Sequence, residues 1–134
     1  MCTMAYPAIF GRVELMLGTE TLRRLKTTKV AIFGLGGVGS WCAESLVRSG
    51  VSELLLVDSD RVAETNVNRQ LMATTATIGD VKVEALAKRL REINPDVKLD
   101  VRAQIYDETT ADSFGLEQYD YVIDAIDSLT EQAA

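Results

Sequence analysis

The sequence predicts an α/β fold: a Rossmann-like, doubly wound parallel sheet that is truncated after its fourth strand. Apolar strand-like segments alternate with helical segments in the order β-α-β-α-β-α-β. Such alternation is typical of parallel sheets with right-handed crossovers, and the expected strand order is 3-2-1-4. The chain ends soon after the fourth strand, whereas a doubly wound sheet continues into a second half. We therefore expect an N-terminal fragment whose last strand, with Val122 and Ile123, has an unpaired apolar edge.

The first βαβ unit contains the most informative segment. A short apolar run, Lys29–Phe33, leads into the glycine-rich turn GLGGVG at positions 34–39. An amphipathic helix is predicted from about Val38 to Ser49, and the second strand, Glu53–Val57, ends at Asp58. This strand–turn–helix–strand context distinguishes a nucleotide site from an isolated glycine motif.

Glycines in this turn let the backbone bend tightly and approach a ligand, and the following helix presents free N–H groups to phosphate. The candidate ligand-binding glycines are Gly34, Gly36, Gly37 and Gly39. Asp58 follows roughly 20 residues later, where a carboxylate can accept hydrogen bonds from ribose hydroxyls. The alternative is a turn that only lets the helix pack closely on the strand. The glycines alone do not identify the nucleotide.

The N-terminal region is predicted to be a lead-in to this unit. The chain divides into two predicted regions, 1–28 and 29–134. Residues 7–18 have an irregular pattern. Thr19 is placed to cap a short helix, and Leu22 and Leu25 share one face of that helix because they lie three residues apart.

One long loop and several further elements are predicted after the second strand. Residues 59–77 are polar and too numerous for an ordinary connection between a strand and a helix. The predicted elements are a helix over 80–94, a strand over 97–101, a weak helix from Thr109 or Thr110 to Phe114, a strand over 119–123 and the opening of a helix over 128–134. The first of these helices is the clearest because its apolar residues recur with helical spacing.

Composition excludes several classes of function. The chain has no histidine and only two cysteines, so Ser-His, Cys-His and histidine–zinc chemistry are not expected within it. The net charge of −6 argues against broad nucleic-acid affinity of this segment. No apolar run approaches the ~20 residues that span a bilayer, and the start lacks the pattern of a signal peptide. We expect no membrane partner and a cytoplasmic location.

Charged residues around the long loop favour ATP over a dinucleotide. Asp58 and Asp60 leave the carboxyl end of the second strand, where ligands bind in such sheets. Arg69 and Lys82 can face the same crevice if the loop folds back, and two cations suit a triphosphate. The alternative is that Arg69 and Lys82 are solvated surface cations. An NAD-dependent oxidoreductase and a noncatalytic nucleotide-sensing domain remain alternatives.

Seven motifs resemble the ThiF/MoeB/HesA superfamily, the bacterial relatives of ubiquitin-activating enzymes. In the family's order they are GLGGVG (34–39), RSGV (48–51), LVDSD (56–60), TNVNRQ (65–70), IGDVK (78–82), INP (93–95) and DAIDS (124–128). The fourth and seventh, together with GRVELMLGTE (11–20), resemble the tRNA threonylcarbamoyladenosine dehydratase branch more than the sulfur-carrier activators.

The resemblance implies ATP and Mg²⁺ as cofactors and gives individual residues a role. Asp58 would hold the ribose. The triphosphate would be lined by Asn66, Arg69 and Lys82. Asp127 would ligate Mg²⁺, although an N-cap of the next helix would equally suit an aspartate. Arg12 would reach across a homodimer to the neighbour's nucleotide, whereas a lone arginine in a lead-in is more often solvated.

The implied reaction is adenylylation of a substrate carboxylate by ATP. In the dehydratase branch this carboxylate belongs to the threonylcarbamoyl group of a tRNA adenosine, which then cyclises with net loss of water. The tRNA would bind through the missing half, so the 134 residues alone are expected to be inactive. The alternative substrate is the C-terminus of a small sulfur-carrier protein.

Overall fold

A four-stranded parallel sheet forms the centre of the computed structural model, which describes residues 6–107 and 109–126. The strands are β1 (Lys29–Phe33), β2 (Glu53–Val57), β3 (Lys98–Arg102) and β4 (Tyr121–Asp124). Their order is β3-β2-β1-β4, and each neighbouring pair is parallel. The predicted fold class and strand order are therefore confirmed.

Helices connect these strands. The α-helices of the described residues are α1 (Gly11–Leu17), α2 (Thr19–Thr27), α3 (Gly37–Ser49) and α4 (Lys82–Ile93). The helix α3 links β1 to β2, α4 lies between β2 and β3, and short 3₁₀ turns at 111–114 and 116–118 precede β4. None of the helices in this part of the chain is long and apolar enough to cross a membrane.

The two central strands, β1 and β2, are buried on both faces. Successive side chains of a strand point to opposite sides of a sheet, so each strand contributes to two cores. On one face, Ile32 and Leu56 join a core with the apolar stripes of α3 and α4. On the other face, Phe33 packs against Tyr106 and Phe114, with ring centroids 4.6 and 5.3 Å away. This burial explains why β1 and β2 are continuous apolar runs rather than alternating ones.

A buried carboxylate joins α3 to α4. Glu44 of α3 accepts hydrogen bonds from Arg48 on its own helix and from Arg89 on α4. Burial raises the pKa of Glu44, but the hydrogen bonds from the two arginines outweigh it and leave the pKa below its ordinary value. The ion pair therefore fixes the relative position of the two helices that begin beside the candidate site.

The irregular lead-in predicted over 7–18 is wrong, because most of it is helix α1. Five of the seven residues of this helix are good helix formers, but it exposes Leu15 and Met16 at 86% and 77%. None of the residues of α1 is buried, so the helix lacks the apolar stripe by which helical periodicity is recognised in a sequence. Thr19 was predicted to cap α2, yet it lies inside the helix and Gly18 takes the cap position without a side-chain hydrogen bond.

Other predicted boundaries moved by a few residues. Helix α4 begins at Lys82 rather than at residue 80, because Val81 forms an isolated bridge with Arg61. The weak helix that ends at Phe114 is a 3₁₀ turn over 111–114, and no side chain caps it. Strand β4 covers Tyr121–Asp124 rather than 119–123. The predicted helix over 128–134 lies outside the described residues.

Strand β4 forms one edge of the described sheet, and Val122 is 49% exposed there. Unpaired apolar strand edges tend to pair with other chains. We expect the 134-residue chain to self-associate with increasing concentration in sedimentation velocity, and Val122→Lys to reduce that association. The matched control is Leu15→Lys, which removes an exposed apolar side chain from α1. A monomer at high concentration, or association that only Leu15→Lys weakens, would contradict the edge as its cause.

Candidate nucleotide-binding site

A crevice lies at the carboxyl ends of the strands, where ligands bind in open α/β sheets. It is lined by Phe33, Gly34, Gly36, Val57, Asp58, Ser59, Asp60, Asn66, Arg69, Gln70, Lys82, Gln104, Ile105, Tyr106, Ala125 and Ile126. Most of the sequence-predicted site residues are therefore brought together in a single crevice. They come from the turn after β1, the loop after β2 and the start of α4.

Two glycines in the turn are sterically required. Gly34 has φ +90°, and a Cβ there would lie 2.6 Å from the carbonyl oxygen of Ala125. A Cβ on Gly39 would overlap the carbonyl oxygen of Gly34. By contrast, a Cβ on Gly37 would meet Arg69 Cγ at 3.6 Å, an ordinary contact. Gly36 is the N-cap of α3 and lines the crevice. Gly34 and Gly36 thus bring the backbone of the turn to the crevice, where the N-terminus of α3 can present N–H groups to a ligand.

The Asp58 side chain connects two segments that line the crevice. Its Oδ2 accepts a hydrogen bond from the backbone N–H of Leu35 at 2.7 Å, and its Oδ1 accepts from the N–H of Asp60 at 2.8 Å. The carboxylate therefore ties the glycine turn to the start of the long loop. The sequence predicts only a ribose-binding role for Asp58, and these two backbone bonds were not predicted. Each carboxylate oxygen retains lone-pair capacity, so both roles are compatible.

Lys82 places a buried cation in the crevice. The residue is only 5% exposed, and its Nζ lies 4.0 Å from Oδ2 of Asp60, whose own side chain is 72% exposed. The backbone N–H of Lys82 also donates to the carbonyl of Asp60 at 3.0 Å. Burying a charge is costly unless it is paired, and 4.0 Å exceeds hydrogen-bonding distance. The ammonium group lines the crevice, where an anionic ligand would supply a closer partner than Asp60.

Arg69 and Asn66 belong to the loop that faces the glycine turn. The Arg69 guanidinium donates through Nη1 to the Thr65 carbonyl and to Asn68 Oδ1, each at 3.0 Å. Asn66 Oδ1 accepts from the N–H of Ala63 at 2.8 Å, so this side chain stabilises the loop as well as lining the crevice. The loop is folded by its own polar groups, which places both residues at the site.

Two features of the crevice were not predicted. Gln70 is 5% exposed, and its Oε1 is buried with no hydrogen-bond partner among the described residues; no signal in its polar stretch points to this burial. Residues 104–106 also line the crevice, and Tyr106 packs on Phe33. They follow β3, so the rule that sites form at the carboxyl ends of strands could have found them.

Arg12 does not lie at this crevice within the chain. It is an exposed residue of α1, and the preceding Ile9 and Phe10 line a groove with Arg48 and Ile93 at the C-terminal ends of α3 and α4. The crevice adjoins the opposite ends of these helices, and the 13 residues of α3 span about 20 Å. Arg12 therefore does not line the crevice of its own chain. Asp127 lies outside the described residues.

The crevice lining contains both hydrogen-bond acceptors and cationic donors. Asp58 offers carboxylate oxygens that can accept hydrogen bonds, while Arg69, Lys82 and the backbone of the glycine turn offer positive charge and N–H donors. Such a lining suits a molecule with hydroxyl groups and several phosphate oxygens, as a nucleotide has.

Comparisons with known proteins agree with this geometry. The ThiF family model matches residues 11–133. The tRNA threonylcarbamoyladenosine dehydratase of Bacillus subtilis is 48% identical over 120 residues, which cover 90% of this chain and 47% of that protein. The crystal structure of the Escherichia coli enzyme in complex with ATP superposes with a TM-score of 0.90 at 36% identity, covering 96% of this chain and 53% of that one.

The same Escherichia coli protein was also solved in complex with AMP, again with a TM-score of 0.90, 36% identity and 96% of this chain covered, against 52% of that one. The chain spans about half the length of the curated relatives it matches. The family match covers nearly all of the chain, and the described fold, crevice and motifs agree with it. The chain belongs to the ThiF family.

Proposed function

We propose that this chain is the nucleotide-binding half of an enzyme that uses ATP to adenylylate a substrate carboxylate. The observation that carries the proposal is the buried Lys82, which faces the same crevice as Arg69 and the glycine turn. A cation that lines a crevice and lies 4.0 Å from the carboxylate with which it pairs is suited to a polyphosphate. A dinucleotide such as NAD has no γ-phosphate and does not need the two cations Arg69 and Lys82.

The proposed step is an in-line displacement. A carboxylate oxygen of the substrate attacks the α-phosphorus of ATP, the bond from that phosphorus to the bridging oxygen breaks, and pyrophosphate leaves with the electron pair. The product is an acyl-adenylate. The protein accelerates this step mainly by positioning the reactants and by neutralising charge on the leaving group. Arg69 and Lys82 would neutralise it, and Asp58 would hold the ribose.

The proposed carboxylate is that of the threonylcarbamoyl group on a tRNA adenosine. Support comes from the names of the relatives, of which the Bacillus subtilis protein is 48% identical. The adenylate would then be displaced within the same molecule to close a ring, with net loss of water. We further propose a homodimer in which Arg12 of one protomer approaches the nucleotide of its partner, because Arg12 is exposed and does not line the crevice of its own chain.

Mg²⁺ fits the proposed chemistry. This ion usually binds through one or two carboxylates together with phosphate oxygens and water, so the lack of a cluster of three metal-binding side chains within 6–107 and 109–126 is compatible with it. Asp127 is the proposed ligand. When bound, Mg²⁺ would neutralise phosphate charge and orient the triphosphate.

The choice of nucleotide provides the first test. We expect ATP with Mg²⁺ to raise the melting temperature of the full gene product that carries these residues, and to raise it more than NAD does. Binding to the folded state stabilises it by mass action, by about 2.7 kcal/mol at a hundredfold excess over Kd. Differential scanning fluorimetry with each nucleotide measures the shift. A clear shift with NAD and none with ATP would refute adenylylation.

The substrate is tested separately by ATP–pyrophosphate exchange. Exchange that requires tRNA bearing threonylcarbamoyladenosine, and that unmodified tRNA does not support, is the expected result. Exchange that instead requires a sulfur-carrier protein would retain adenylylation but assign the chain to the other branch.

A further inference from the structure

Two consecutive residues near the start of α3 hold the backbone of the loop that carries Arg69. The Oγ of Ser40 donates to the carbonyl of Gly36 at 2.6 Å and accepts from the N–H of Leu71 at 3.1 Å. Next to it, the indole Nε1 of Trp41 donates to the carbonyl of Arg69 at 2.9 Å, across 28 positions of sequence. The loop is therefore attached to the glycine helix on both sides of residue 70.

These two attachments differ in their surroundings. Ser40 is fully buried, so its hydrogen bonds are part of the folded core. Trp41 is 52% exposed, so burial alone does not explain this large aromatic residue. An indole has one donor and no acceptor, and here that donor is committed to the backbone of a candidate phosphate-binding residue.

The position of the Arg69 guanidinium depends on this backbone attachment. Its aliphatic stem passes over Gly37, where a Cβ would meet Cγ at 3.6 Å and Cδ at 3.8 Å. The guanidinium itself contacts Thr65 and Asn68, which belong to the same loop. Among the described hydrogen bonds, none from the guanidinium reaches α3 or the sheet, so the loop backbone determines where the charge is presented.

We propose that Trp41 is a positioning residue that fixes the Arg69 backbone so that the guanidinium meets the β- and γ-phosphates of ATP. This inference rests on the proposed function. It assigns Trp41 no contact with the nucleotide, only an effect through Arg69. The contribution of Trp41 should therefore depend on phosphates that ATP has and AMP lacks.

The test compares ATP with AMP. Trp41→Phe in the full gene product keeps an aromatic ring and removes the N–H donor. We expect the Kd for ATP to rise about threefold to tenfold, the range of one hydrogen bond, while the Kd for AMP changes by less than about twofold. In an Arg69→Ala background, the same substitution should change the Kd for ATP by less than about twofold, because a double-mutant cycle isolates effects that act through one partner.

A control and a second variant keep this test decisive. Ser45→Ala alters an exposed residue of α3 that lies one turn beyond Trp41 and outside the crevice, and it should leave both affinities unchanged. If Trp41→Phe does not fold, benzothienylalanine at position 41 replaces the N–H by sulfur with the same ring shape. Equal losses for ATP and AMP, no loss for ATP, or an undiminished effect without Arg69 would overturn the inference. Failure of the unmodified protein to bind ATP would instead refute the proposed function.

Discussion

Lys82→Ala and Arg69→Ala are each expected to reduce ATP–pyrophosphate exchange by at least ~100-fold in the full gene product, since loss of one transition-state charge partner commonly costs this much. Lys82 is buried at the crevice, so a cation from solvent is not expected to replace its charge after the substitution. Arg69 adds a guanidinium, a planar group that is suited to bind phosphate through two hydrogen bonds. Initial rates of exchange at saturating ATP measure the effect.

The matched controls are exposed cations on α4. Lys88→Ala and Arg91→Ala remove the same charges from the solvent-facing side of the helix, and neither should alter the exchange rate. If the two site variants retained activity within about threefold of the unmodified protein, far short of the cost of a lost transition-state contact, Lys82 and Arg69 would have no role as phosphate ligands.

Gly39→Ala is expected to destabilise the chain by about 3 kcal/mol or more, the upper range for forcing extra atoms into a packed site. The added Cβ would overlap the carbonyl oxygen of Gly34, a backbone atom that cannot rotate away. Urea unfolding of this chain, followed by far-UV circular dichroism, measures the loss.

Gly37→Ala is the control because it lies in the same turn, and its Cβ would make only an ordinary contact with Arg69 Cγ at 3.6 Å. Its effect should stay within about 1 kcal/mol, since alanine is a better helix former than glycine. Similar losses for the two variants would show that the close approach of Gly39 to Gly34 is not what makes a glycine necessary there.

The sheet could be predicted because its determinants are local. Apolar runs mark β1 and β2, a glycine turn marks the start of α3, and helical spacing marks α4. The order of strands then follows from the rules of doubly wound sheets. The helix α1 could not be predicted in this way, since the periodicity signal depends on a buried face and α1 exposes Leu15 and Met16.

The candidate site was predictable in its residue types but not in its internal contacts. The sequence places Lys82 at the start of a helix, but only the fold reveals that its side chain is buried. The bond that Asp58 accepts from Leu35 and the bond from Trp41 to Arg69 join residues 23 and 28 positions apart in sequence, and no local pattern reports such pairings. The buried Gln70 is unpredicted for the same reason.

The double attachment of Asp58 has a consequence for anyone who wishes to alter the nucleotide preference of this fold. Changing the acid after the second strand is the obvious way to redesign ribose recognition, but here the same carboxylate anchors the N–H groups of Leu35 and Asp60. An uncharged replacement is expected to loosen the glycine turn together with the proposed ribose contact. Redesign should therefore keep Asp58 and begin with Ile105 and Tyr106, which line the crevice from another loop.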